Sequence, residues 1–376
     1  MWELVEIREV KTGRDLRRFV SFPHALYAGN KYWVPPLRVD ELKTLRREKN
    51  PAFEHCEARY WLAYKDGRVA GRIAGIINHQ HSAKWGQDYI RFGWLDFVDD
   101  AEVSRALVET VEAWARERGM TGIHGPLGFC DLDREGLLVE GFAVPGTMVT
   151  IYNHPYYPAH LERLGYAKDV DWVEYELRVP AEVPESVERV SRAVMKRLKL
   201  RLLDARRAKD LKPYARAAFA LINEAYKDLY GFVPLSDRQI EAFTKQYFGF
   251  ISPDYTKIIL DEQGALAGIG IAMPSLSNAL RKSGGRLFPL GFLRLLAALR
   301  RNDCLDLYLV AVRPDLQKKG VNALLMNEIT KACIKNGITR GESNPELETN
   351  ENVQAFWKHY EARQHKRRRV YLKKLA

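Results

Sequence analysis

The residues best suited to chemistry stand at a junction near position 317. An apolar run ends at Val312, Pro314 follows, and Gln317-Lys318-Lys319-Gly320 leads directly into Val321-Asn322-Ala323. Val321, Leu324, Leu325, Ile329 and Cys333 then recur at helical spacing, so a strand, a tight basic turn and an amphipathic helix follow one another. The first N–H groups of a helix lack partners within it, and its dipole is positive there. A glycine in the turn lets a phosphate approach the backbone closely, so the junction predicts an anion site. The matching stretch of the first half, residues 97–107, has no glycine and carries Asp99, Asp100 and Glu102. Acids at a helix start satisfy the dipole internally and repel a phosphate. The four cysteines, Cys56, Cys130, Cys304 and Cys333, form no C-x-x-C pair and lie near no histidines at ligand spacing, so neither a metal site nor a disulfide framework is expected.

These groups need elements to hold them. The first half reads as a strand (4–10), a helix (15–25), an aromatic and proline-rich loop (32–36), and a hairpin (60–64 and 69–78) about an Asp66-Gly67 turn. A strand (92–98), a helix (101–118), a strand (121–124), a helical stretch (157–164) and a strand (172–179) follow. Residues 179–184 read as a linker, and the order then repeats: a helix (185–198), a strand (200–204), helices within 208–248, a hairpin (255–260 and 265–273), a strand (305–312), a helix (321–336), a strand (338–343), a helix (352–360) and a strand (369–375). The expected class is α/β (α+β), with mixed central sheets flanked by helices, in two tandem domains, 1–180 and 181–376.

Composition narrows the partners. The chain has 376 residues and a formal charge of +11, a surface that attracts polyanions, anionic lipid or a phosphorylated cofactor. It has no uncharged apolar run long enough to span a bilayer and no apolar leader at its N-terminus, which predicts a cytoplasmic protein. No zinc finger, RNP-type motif or helix-turn-helix is visible, so nucleic acid is the weaker reading, with His365-Lys366-Arg367-Arg368-Arg369 as its one candidate contact.

The strand–Gln317-x-x-Gly320–helix stretch resembles the pyrophosphate-binding signature of the GNAT superfamily of N-acyltransferases, with Asn322 where the signature has Gly or Ala. The resemblance implies two tandem GNAT-like folds, of which the first lacks the motif, and acyl-CoA as co-substrate. It implies that Val310, Val312, Gln317, Lys318, Lys319, Gly320, Val321, Asn322, Ala323 and Asn352 hold that donor. Family members often place a catalytic carboxylate on the strand before the turn, which here offers Asp306, either as a base or as a strand-edge acid facing water. Their usual acid is a tyrosine in a motif like N-x-x-A-x-x-x-Y; Asn352 and Ala355 match, His359 takes the tyrosine's place and Tyr360 is next, so either is a candidate acid. Glu346 and Glu348 are alternative bases.

Two segments suggest the acceptor. A Gly-rich loop carries Asp131, Asp133 and Glu135, and Tyr156 and Tyr157 lie downstream; together they are candidates for binding an amine. Residues 275–303 form an insertion whose apolar stretch, with Phe292 and Leu293, is flanked by Arg286, Arg294, Arg300 and Arg301. Such a segment suits a membrane interface or a long acyl chain, or packs as a buried helix. With the 32–36 loop and the 125–142 loop, it makes the chain similar to tandem-GNAT bacterial proteins of the ceramide synthase type. That resemblance implies transfer of a long acyl group, from acyl-CoA or acyl carrier protein, to a lipid amine such as a sphingoid base, with peripheral contact at an anionic membrane. An N-acetyltransferase of a small amine and a non-catalytic acyl-CoA sensor are the rival readings.

Overall fold

The computed structural model describes residues 5–350, 354 and 357–375. In the first half, strands β1 (Glu6–Glu9), β2 (Cys56–Lys65), β3 (Arg68–Asn78), β4 (Tyr89–Phe97), β5 (Gly122–Gly125), β6 (Leu137–Glu140) and β7 (Ala167–Arg178) alternate with helices α1 (Gly13–Leu26), α2 (Arg38–Thr44), α3 (His79–Trp85), α4 (Ala101–Glu117) and α5 (Tyr157–Arg163). In the second half, β8 (Arg201–Leu202), β9 (Thr256–Leu260), β10 (Leu266–Pro274), β11 (Cys304–Val312), β12 (Arg340–Glu342), β13 (Glu346–Leu347) and β14 (Ala362–Lys374) alternate with α6 (Glu185–Arg197), α7 (Ala208–Leu211), α8 (Ala215–Ala225), α9 (Asp237–Tyr247), α10 (Ser277–Ser283), α11 (Gly291–Arg300) and α12 (Val321–Lys335).

The strands form one mixed sheet in the order β1-β2-β3-β4-β5-β14-β7-β12-β11-β10-β9-β8. The order shows an exchange. The strand that closes the first half, β7, pairs with β12 of the second, and the strand that closes the second, β14, pairs with β5 of the first. The two exchanged strands also pair with each other along most of their length, from Ala362↔Leu177 to Leu372↔Ala167. Each half thus completes the other's sheet.

Alternation along β14 explains its basic run. Lys366 and Arg368 point to one face, where both are buried against Glu174; Lys366 Nζ lies 3.2 Å from Glu174 and 3.0 Å from Glu342. Arg367 and Arg369 point to the other face and pair with Asp171, the latter at 2.8 Å. The rival nucleic-acid reading loses Lys366 and Arg368 from its candidate contact. Lys366 and Arg368 are closed off by carboxylates inside a sheet, because a strand places every second side chain in the core.

The pyrophosphate-type helix and its counterpart pack alike. In β3 a Cβ at Gly71 would meet Leu107 of α4 at 2.6 Å, and in β10 a Cβ at Gly268 would meet Val321 of α12 at 3.2 Å. Glycine at these strand positions lets each helix lie close to its sheet, burying Val103, Leu107, Val111 and Trp114 in one core and Val321, Leu324 and Leu325 in another.

Candidate active site

The strands β11 and β12 run parallel for three residue pairs, Cys304↔Arg340 to Asp306↔Glu342, and then part. At the same point the register of β11 against β10 shifts, with Tyr308 as the extra residue between Leu307 and Leu309. The result is a groove with β11 as one wall and the segment that follows β12 as the other.

Along that wall, alternate carbonyls face away from β10. Those of Tyr308, Val310 and Val312 accept from Asn344 Nδ2 at 2.7 Å, Tyr226 Oη at 2.9 Å and Gln317 Nε2 at 3.2 Å. A strand edge capped by exchangeable side-chain donors can pair with an extended, amide-bearing ligand arm. At the far end of β11, residue Gly320 is left-handed (φ 91°) and caps α12. Among the described residues, no side chain caps the first turn of α12 and no acid lies in it, so its N–H groups face outward beside Lys318 and Lys319, both exposed. Asn322 is exposed as well, Ala323 is partly covered, and Val321 is buried beneath them. This is the chemistry a pyrophosphate needs. The counterpart helix α4 is sealed instead: Asp100 accepts from the N–H groups of Glu102 and Val103 and is held by Lys65 at 2.6 Å.

Asp306, Glu346 and Tyr360 stand near this parting of the strands. Asp306 is fully buried; Tyr308 Oη approaches its Oδ2 at 3.4 Å, and its Oδ1 has no hydrogen-bond partner among the described residues. Burial pushes its carboxyl up to about 7, against a hydrogen bond from Ser275 and with the neighbouring Glu342 adding to the rise. Of the two readings of Asp306, the water-facing one is therefore corrected: the sheet closes over it on both sides. Glu346 stands on the opposite wall, half-buried, where Trp357 Nε1 donates to its two oxygens at 3.0 and 2.8 Å. Burial raises its carboxyl to about 8, with the Trp357 bond opposing. Burial raises the Tyr226 phenol, and the charge of Glu346 adds to that rise. Tyr360 packs 5.9 Å from the Trp357 ring, and burial pushes its phenol up to about 12. His359 is exposed at the surface, and Glu348 is tied to Arg367 at 2.8 Å. Asn352 and Ala355 lie outside the described residues, as do Val353 and Phe356 of the helix expected over 352–360.

The acceptor candidates separate. Asp133 lines a cavity of about 130 Å3, while Asp131 and Glu135 lie outside its lining. Tyr157 is buried in the first half's core, donating or accepting at Tyr27 Oη (3.1 Å) and accepting from the Phe97 N–H (2.9 Å), and Tyr156 donates to the Phe97 carbonyl. Those two tyrosines brace β4 against α5, and the full burial of Tyr157 corrects the expectation that it contacts an amine. Phe292 and Leu293 face solvent from α11, which excludes the buried-helix reading of that segment's outer face. Sequence reasoning missed Tyr226, Tyr308 and Asn344; only the parting of β11 from β12 gives them a common target.

The sequence profile of the Acetyltransferase (GNAT) family matches residues 221–360. Two relatives align over most of the chain: Protein YghO of Escherichia coli, 28% identical over 98% of this chain and 95% of its own, and a bacterial ceramide synthase of Caulobacter vibrioides, 30% identical over 77% and 75%. The chain belongs to the GNAT acyltransferase family. Among solved structures, a tandem GNAT protein from the clavulanic acid biosynthesis pathway superposes with a TM-score of 0.58 at 14% identity, covering 98% of both chains, which gives the tandem GNAT fold. A GCN5-related N-acetyltransferase from Sphaerobacter thermophilus gives 0.51 at 11% identity over 98% and 95%. This GNAT protein is an N-acyltransferase, of a family that takes acetyl- or acyl-CoA as donor. No helix among its described residues is long and apolar enough to cross a membrane.

Proposed function

We propose that this enzyme transfers a long acyl chain from a thioester to the amine of a lipid, working at an anionic membrane surface. The observation that carries the reading is the outer face of α11 and the turn before it. Phe288, Leu290, Leu293, Leu296 and Phe292 are 76, 55, 50, 47 and 39% exposed, and Arg286, Arg294, Arg300 and Arg301 surround them, all exposed. An apolar face ringed by cations is costly in water and suited to the boundary between headgroups and acyl chains. The relative named as a ceramide synthase supports the same class of acceptor.

In this reading the α12 turn from Gln317 to Ala323 holds the donor's pyrophosphate, and Val310 and Val312 offer the open strand edge to its extended arm. The amine nitrogen bonds to the thioester carbonyl carbon as the carbon–sulfur bond breaks. Glu346 takes the proton shed by the amine, Asp306 being the alternative base, and Tyr360 returns a proton to the departing thiolate. Trp357, in contact with both Glu346 and Tyr360, positions the pair. The proposed halves, 1–180 and 181–376, divide this work, with the donor held by the second.

Replacing Leu290, Phe292, Leu293 and Leu296 together with Ser tests the membrane part. Each buried CH2 is worth ~0.8 kcal/mol, so the wild type is expected to sediment with anionic liposomes, less so in high salt, and to prefer palmitoyl-CoA over acetyl-CoA; the variant loses the liposome binding. A wild type that ignores liposomes and acetylates small polar amines efficiently refutes the proposal.

A further inference from the structure

The cavity beside Asp133 is lined by the first half, near the point where β4 parts from β5, with Gln246 and Tyr247 of the second half completing it. It encloses about 130 Å3, an order of magnitude above the ~10–15 Å3 a single water needs. Its lining is mixed. It includes Val34, Leu37 and Met148, which share an apolar cluster with Leu276 and Leu295 of the α10–α11 insertion and with Tyr308 of the donor groove. It also includes four carboxylates, Asp40, Glu41, Asp96 and Asp133, and two guanidiniums, Arg72 and Arg134.

The charges do not balance. Arg72 is taken by Asp96 at 2.7 Å, and Arg134 lies 3.7 Å from Glu41. Asp133 accepts the N–H groups of Phe129 (2.8 Å) and Cys130 (3.3 Å). Asp40 has Lys43 at 4.0 Å and a hydrogen bond from Gln246. Burial holds both carboxyls above their ordinary range, Asp133 at about 6. A cation entering the cavity would favour their ionised form. Tyr308 of the donor groove packs against the apolar cluster of Val34 and Leu37, so the cavity adjoins that groove.

From the mixed acidic and apolar lining and its contact with the α10–α11 insertion we infer that this cavity receives the ammonium head of an amphiphilic amine acceptor, Asp40 and Asp133 serving the head and Val34, Leu37 and Met148 guiding its alkyl chain toward α11. The first half, which lacks a phosphate-binding turn, then serves as the acceptor side of the enzyme. The inference rests on the lipid-amine reading above and deepens it.

Binding of dodecylamine, measured by calorimetry with dodecanol as the uncharged control of equal length, tests the assignment. The wild type is expected to bind the amine at least tenfold more tightly than the alcohol. Asp133→Asn and Asp40→Asn should each remove most of that preference while leaving coenzyme A affinity unchanged. Asp133 accepts two backbone N–H groups, so Asp40→Asn, at a less constrained position, carries the test if Asp133→Asn fails to fold. Equal affinity for amine and alcohol in the wild type, or a preference kept in the folded variants, overturns the pocket. A normal amine preference with no acylation of dodecylamine from palmitoyl-CoA supports the pocket and overturns the lipid-amine reading instead.

Discussion

Glu346 and Asp306 are both carboxyls raised by burial, and they differ in what they can reach. Glu346 is half-buried on a groove wall, whereas Asp306 is closed in by β10 and β12. A base must be ionised before it accepts a proton, so kcat/KM should rise with pH through about 8 if Glu346 is the base and through about 7 if Asp306 is. Glu346→Gln is expected to remove the rising limb and slow turnover by about 10²-fold or more with acyl-CoA binding intact, read from pH–rate profiles and calorimetry. An intact limb in that variant and its loss in Asp306→Asn would transfer the role. The same shifts bear on stability. The folded Glu346 carboxyl binds its proton more tightly than the unfolded one, whose ordinary value is 4.5, so its contribution is present below that pH and is lost as pH rises toward about 8. Glu346→Gln should therefore flatten the fall in melting temperature between those limits, as seen in melts across a pH series.

At the scale of the element, α12 and α4 show how one architecture is made open or closed to an anion. Gly320 carries a φ of 91°, and an added Cβ there would sit 3.3 Å from Val194 of α6. Gly320→Asp thus combines backbone strain, crowding and a negative charge at the phosphate site, and is expected to abolish coenzyme A binding in calorimetry. At α4 the sealing group is Asp100, which caps two N–H groups. Replacing Asp100 with Gly should leave the coenzyme A stoichiometry at one per chain, since that helix has neither the basic turn nor the glycine ahead of it; a stoichiometry of two in the wild type would refute the division between the halves.

For the whole molecule, the exchange of β7 and β14 makes the two halves one folding unit. The proposed halves 1–180 and 181–376, produced separately, should each fail to show a cooperative melt, because each lacks the strand that closes its own sheet. Produced together they should assemble and regain one transition. Cooperative melting of either piece alone would refute that dependence. The ladder between the exchanged strands also buries Lys366 against Glu174 and Glu342. Lys366→Met leaves two carboxylates without that cation inside the sheet and should cost about 3–5 kcal/mol in denaturant unfolding, with a single transition retained.

The sequence by itself determined the local elements and the anion turn, because those depend on near neighbours. Asp100 before α4, the apolar spacing of α12 and the Asp66-Gly67 turn each act within a few residues of themselves. The repeated element order was legible for the same reason. Strand partnership was not: the composition of β7 and β14 marks them as strands, and nothing local says that each completes the other half's sheet. That choice depends on pairings between residues far apart in the chain, such as Arg340 with Arg178 and Tyr371 with Gly125, and it turned a basic run that looked like a polyanion contact into the buried ion pairs of Lys366 and Arg368. The groove followed the same rule. Asp306 and Glu346 were visible as candidates, but Tyr226, Tyr308 and Asn344 acquire a shared role only where β11 parts from β12. The cavity beside Asp133 draws Asp40, Asp133 and Tyr247 from three distant segments, and only tertiary packing brings such distant groups into one low-dielectric space, where their charges act strongly on one another.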